Sequence, residues 1–79
     1  MTVNVLAFGI AKEIFGKTAI DVELNESTIA ALKNTLEEKY PRLKQLATYM
    51  VAVNNEYAQP TQQINSTDEI AIIPPVSGG

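Results

Sequence analysis

Six residues close this sequence in an order that suits chemistry at the end of a backbone: Pro74-Pro75-Val76-Ser77-Gly78-Gly79. Two prolines stop pairing with a sheet, because proline supplies no ladder N–H and fixes φ. Glycine lets a backbone pass where a Cβ would clash. A Gly-Gly on a stiff stalk therefore suits a carboxylate that enters a narrow active site. The competing reading is a frayed terminus. The proline pair and the apolar run Ile70-Ala71-Ile72-Ile73 before it argue against that. Extended, the arm from Ile73 to Gly79 reaches about 20 Å. Gly79 is the residue expected to carry the chemistry. Pro75, Val76, Ser77 and Gly78 are expected to provide the fit, Ser77 being small enough to pass and able to form a hydrogen bond.

The rest of the composition pushes chemistry toward that end. The 79 residues include no cysteine and no histidine. Disulfides, thiolate nucleophiles, the usual zinc sites and the usual general base of hydrolases are excluded. No metal site is expected, and the pair Asp68-Glu69 reads as a turn and strand entry. Net charge is −3, and Lys12, Lys17, Lys33, Lys39, Arg42 and Lys44 are scattered, so no basic stripe addresses nucleic acid. No apolar run reaches membrane-spanning length, and Met1-Thr2-Val3-Asn4-Val5 lacks a positive leader. The expectation is a soluble cytoplasmic protein with no nucleic-acid or membrane partner.

One domain must hold the arm. Residues 2–10 alternate, with Val3, Val5 and Ala7 on one side and Asn4, Leu6 and Phe8 on the other. Gly9 and Gly16 bracket Ile10 to Phe15, a stretch too short for a full helix that reads as a hairpin connection. Residues 18–24 alternate again, placing Ile20, Val22 and Leu24 inward. Ser27 or Thr28 can cap a helix carrying Ile29, Leu32, Leu36 and Tyr40 at helical spacing. Pro41 ends it. Glu37 and Glu38 fall on its solvent face. Leu43, Leu46 and Tyr49 suggest a second short helical turn.

Residues 50–53 read as a buried strand, Asn54-Asn55 as a tight turn, Glu56 to Ala58 as a short return strand, and residues 61–67 as a polar loop. Residues 69–73 form the last strand. The order strand, strand, helix, strand, short strand, strand predicts an α+β, two-layer β-grasp (ubiquitin-like) domain. It has a mixed five-stranded sheet and one main helix packed on one face. Its boundaries are 1–73, followed by an extended tail over 74–79. The first and last strands are expected to pair in parallel at the centre.

A two-layer fold covers one face of its sheet. The helix should cover Val3, Val5, Ile20, Val22, Val51, Val53, Ile70 and Ile72. The outer face then carries Leu6, Phe8, Ala52, Ala71 and Ile73, with Tyr57 at its edge. Such a face ought to be polar. A contiguous apolar patch beside the arm marks a partner surface, so Leu6, Phe8, Tyr57, Ala71 and Ile73 are the candidate interface. The alternative is that Leu6 or Phe8 tucks under a loop.

With these residues in place, the chain resembles the small subunits of molybdopterin synthase, the MoaD-like sulfur carriers of the ThiS/MoaD family. The resemblance covers nearly the full length. It rests on Phe8-Gly9, Glu13, Gly16, Thr28, Leu32, Leu36, Tyr40-Pro41 and Ala52-Val53-Asn54. Most specifically, it rests on Asp68-Glu69-Ile70-Ala71 and the closing Pro-Pro-Val-Ser-Gly-Gly. The family commonly has Asp-Gly before Asp-Glu; here those places are Ser66-Thr67. Threonine is poor at positive φ, so the turn before the last strand is expected to differ.

The resemblance implies a protein that is no enzyme by itself and binds no cofactor. An ATP-dependent adenylyltransferase of the ubiquitin-activating type would form an acyl-adenylate on Gly79, and a sulfur donor protein would convert it to a thiocarboxylate (1-thioglycine). The large, catalytic synthase subunit would take the tail in, within a heterotetramer. There the sulfur would attack the cyclic pterin precursor of the molybdenum cofactor. Three other readings stay open: a related carrier for a pathway such as that of thiamine, a ubiquitin-like protein modifier, and a binding domain with an inert tail.

Overall fold

The alternation of apolar residues in the strands becomes a sheet with one covered face. The structure, a computed structural model, describes residues 1–46 and 48–74. Its strands are β1 (Thr2–Ala7), β2 (Ala19–Glu23), β3 (Met50–Val53), β4 (Glu56–Tyr57) and β5 (Ile70–Ile73). They form one mixed sheet in the order β2-β1-β5-β3-β4. β1 and β5 are parallel at the centre, with Val5 opposite Ile70 and Leu6 opposite Ala71. The other pairings are antiparallel. This is the ubiquitin-like β-grasp that the element order predicts. The inward set Val3, Val5, Ile20, Val22, Val51, Val53, Ile70 and Ile72 is buried as expected.

The main helix, α2 (Ile29–Lys39), lies over that set; α1 precedes it in the chain as Ile10–Phe15. Thr28 is its cap: its backbone is extended and its Oγ1 accepts from the Ala31 N–H at 3.2 Å. That satisfies one of the free donors of the first turn. Ile29, Leu32 and Leu36 are buried at helical spacing. Each such side chain contributes about 1.5–3 kcal/mol of burial, before the entropy of ordering it. Tyr40 closes the helix half-buried, its ring 4.7 Å from that of Phe15.

Several expectations need correction. The stretch between the first two strands is not a bare hairpin connection, because Ile10–Phe15 is helical. Ala11 and Phe15 lie one turn apart and bury the same face, and Gly16 ends the turn at φ 76, donating its N–H to the Lys12 carbonyl at 2.9 Å. The suggested turn through Leu43, Leu46 and Tyr49 is instead a 3-10 helix over Pro41–Gln45 that buries Leu43 alone. Leu46 and Tyr49 lie beyond it. Within the loop 61–67, Ile64 is buried, and its N–H reaches the Ser27 carbonyl at 2.7 Å. Glu37 is not simply solvated, because the buried Tyr49 hydroxyl donates to its carboxylate. Ala52, assigned to the exposed face, is buried, because Tyr57 and Ala71 stand opposite it on either side.

Candidate functional site

The parallel pairing of β1 and β5 decides where the site lies. Leu6 is opposite Ala71, and Ala7 opposite Ile72, so both strands run off the sheet at the same end. Beyond β1 the chain presents Phe8, which is 52% exposed. Its carbonyl accepts from the Ala11 N–H at 3.1 Å, turning the chain into α1. Beyond β5 the chain presents Pro74, the last described residue.

On the outer face, one shallow groove is lined by Leu6, Phe8, Ala71 and Ile73, expected there from alternation, and by Tyr57, expected at the edge. Ala52 floors it, and Asn55 and Glu69 complete its lining. Tyr57 is 66% exposed, so its ring stands as a free apolar wall. Neither Leu6 nor Phe8 is tucked under a loop: Leu6 is half-buried and Phe8 exposed. The same face is polar on its β2 side, where Asn4 donates to Asp21 at 3.1 Å. The outer face is thus divided into a polar half and an apolar half, and the apolar half adjoins the point where the arm begins. An uncovered apolar area of this kind suits a macromolecular partner.

A polar clamp holds one end of the groove. Asn54 and Asn55 both adopt left-handed backbone angles, φ 52 and φ 70, as a two-residue hairpin turn requires. Asn54 donates through Nδ2 to Asp68 at 3.0 Å, and its Oδ1 accepts from the Glu69 N–H at 3.0 Å. Asp68 also accepts from the Asn65 N–H at 2.8 Å. Those two donors hold the Asp68 carboxyl below the usual carboxylate range, the backbone bond contributing most. Asp68 therefore has a structural partner for each oxygen. The Ser66-Thr67 departure is accommodated without positive φ at either residue, since Asn54 and Asn55 are the non-glycine residues with positive φ among the described residues. Among the described residues, no group of three or more His, Cys, Asp or Glu is placed to hold a metal ion. None of their helices is long and apolar enough to cross a membrane.

Gly79, with Pro75, Val76, Ser77 and Gly78, lies outside the described residues. Sequence reasoning missed Met50, which stands opposite Ile73 and is exposed. Counting alternation outward from Val51 would have found it. It also missed the Lys33, Glu37 and Tyr49 cluster on the helix side, where Lys33 Nζ sits 4.8 Å from the Tyr49 ring centre. Lys33 and Glu37 stand one helical turn apart on α2, but no sequence period links either to Tyr49.

A family model described as the ThiS family matches residues 5–79. The molybdopterin synthase sulfur carrier subunit of Dictyostelium discoideum is 48% identical over 81 residues, covering 96% of this chain and 94% of that one. SAMP1 from Haloferax volcanii has the same fold, with a TM-score of 0.84 at 24% identity and full coverage of both chains. A chain from the complex of subunits 1 and 2 of the molybdopterin-converting factor of Helicobacter pylori aligns over 100% of each chain, with a TM-score of 0.70 at 26% identity. Matched from residue 5 to residue 79, and similar along almost its whole length to a molybdopterin synthase sulfur carrier, the chain belongs to the ThiS family.

Proposed function

We propose that this chain is the sulfur carrier subunit of a molybdopterin synthase. The observation that carries the choice is the 48% identity to a chain of that name over 96% of this sequence. The geometry supports it, because an apolar groove runs up to the place where the chain leaves the sheet toward residue 79.

The Gly79 carboxylate must be activated before sulfur can enter. A carboxylate oxygen attacks the α-phosphorus of ATP and expels pyrophosphate, which gives an acyl-adenylate. The partner for this step is an adenylyltransferase of the ubiquitin-activating type. Sulfide-level sulfur from a donor protein then attacks the acyl carbon, forming the C–S bond as the C–O bond to AMP breaks, and leaves the thiocarboxylate. The large synthase subunit receives the arm, and the terminal sulfur attacks the cyclic pterin precursor. A dithiolene needs two sulfur atoms, so two carriers serve each product, which suits a two-fold heterotetramer. The work belongs in the cytoplasm.

The chain's own contribution is binding and positioning. The partners supply acid, base and substrate pocket, and this domain supplies a reactive atom at a defined distance. Its groove is the surface for the large subunit: Phe8 and Tyr57 are its large apolar anchors, and Leu6, Ala71 and Ile73 its floor.

Mass spectrometry after incubation with ATP, the activating enzyme and a sulfide source tests the reading. The expected result is a gain equal to the mass of sulfur minus that of oxygen, located on residue 79. Ladders of this chain joined to other proteins, with no such gain, would identify a modifier instead.

A further inference from the structure

Phe8-Gly9 is part of the resemblance, yet nothing in the sulfur chemistry above uses Gly9. Its surroundings give it a task. Gly9 has φ 56 and ψ −131, in the mirror-image region that L side chains avoid. It occupies the second position of the turn from the Phe8 carbonyl to the Ala11 N–H. A Cβ built on it would stand 3.2 Å from Cγ of Pro74, tighter than nine in ten real Cβ contacts, so one of the two must give by a few tenths of an ångström. The two residues meet because β1 and β5 end side by side in parallel register. One chain turns back there and the other leaves the sheet.

We propose that Gly9 is a positioning residue for sulfur transfer: its bare backbone is the seat for the Pro74 ring, and that seat aims the arm. This rests on the carrier reading above. The proline ring is fused to its own backbone, so beyond the few tenths of an ångström that ring pucker gives Cγ, it moves only with the chain. Anything that lifts the ring off Gly9 tilts the chain that follows. Pro74 is where the described chain leaves the sheet toward Gly79, so a shift of its ring is passed to the residues that must enter the partner's active site. Misplacement of about 1 Å is enough to cost on the order of a hundredfold in rate. Gly9 does not line the groove that holds Phe8 and Tyr57, although it shares an adjoining depression with Leu6 and Phe8.

Gly16 supplies the control. It also has positive φ, 76, but a Cβ there meets nothing within 4 Å. Gly16→Ala therefore strains the backbone without touching the arm. The test compares Gly9→Ala, Gly16→Ala, Pro74→Ala and the Gly9→Ala/Pro74→Ala double variant. Each is measured well below its melting temperature for large-subunit affinity and for single-turnover sulfur transfer from preformed thiocarboxylate.

The expected result is that Gly9→Ala lowers transfer about tenfold or more with affinity unchanged. Gly16→Ala should destabilise the fold and leave transfer intact. In the Pro74→Ala background, adding Gly9→Ala should cost less transfer than it does in the wild-type chain, because the clashing atom is gone and only the backbone strain remains. Full transfer by Gly9→Ala overturns the proposal, as does equal loss in both glycine variants or additive losses in the double variant. Should Gly9→Ala not fold, Pro74→Ala decides alone: slowed transfer at unchanged affinity supports the seat, and full transfer overturns it. If the wild-type chain carries no sulfur, the carrier reading has failed and the seat falls with it. If the wild-type chain works and Gly9→Ala works equally well, only the seat has failed.

Discussion

Phe8 and Tyr49 are both aromatic, and their surroundings give them opposite tasks. Phe8 projects from the end of β1 into solvent, so replacing it should leave the core untouched. We expect Phe8→Asp to keep a cooperative melt near the wild-type temperature while weakening large-subunit binding by about tenfold or more, as loss of an aromatic anchor does. Calorimetry and titration on the same sample check both halves. Loss of the melt would place Phe8 in the core. Tyr49 is buried, and burial together with the Glu37 carboxylate that accepts its proton pushes its phenol well above 10.0. The folded chain thus holds this proton more tightly than the unfolded chain. Its contribution is complete below the unfolded phenol value and drains away as pH rises from there toward the folded value. We expect stability to fall with pH above about 10, and Tyr49→Phe to flatten that slope. Denaturant titrations at several alkaline pH values measure it; an unchanged slope would remove Tyr49 as a cause.

At the level of elements, two devices hold the sheet to its helix and its turn. Leu36 on α2 is wholly buried, and Leu36→Ala should cost about 2–5 kcal/mol through lost burial and a residual cavity. That is a large part of the stability of a chain this size, roughly 4–12 kcal/mol. Asn54→Ala should cost about 1–2 kcal/mol, because it forces a Cβ into left-handed angles and removes two hydrogen bonds that tie the β3–β4 turn to the start of β5. Urea melts decide both, and a change under about 0.5 kcal/mol in either case would contradict these assignments. These elements also show what sequence can reveal. β1, β2 and α2 were legible because each runs long enough to repeat its period, as Val3-Val5-Ala7 and Ile29-Leu32-Leu36 do. α1 was not, since six residues hold a single i,i+4 pair, Ala11 and Phe15. Ile64 was hidden because one apolar residue in a polar loop has no period. Ala52 was placed on the right face, but its burial depends on neighbours from two other strands. Leu6, Phe8, Ala71 and Ile73 follow from alternation together with the parallel contact of first and last strands, whereas Tyr57 was expected only at the edge. Gly9 was visible as a motif, but its task needed the position of Pro74 sixty-five residues away.

Taken as a whole, the molecule separates its tasks in space. One face of the sheet is committed to the core beneath α2, and half of the other is left apolar and open. The chain leaves the sheet next to that open half, over the bare backbone of Gly9. The chain has no cysteine, so no side-chain thiol is present to carry sulfur, and the proposed chemistry falls on the carboxylate of Gly79. A body that binds and an arm that reacts can then be damaged independently. The most direct measurement is pterin sulfuration in a reconstituted synthase, comparing the full chain with one lacking Gly79. The shortened chain should bind the large subunit through its groove and deliver no sulfur. Sulfuration at the full rate by the shortened chain would contradict this.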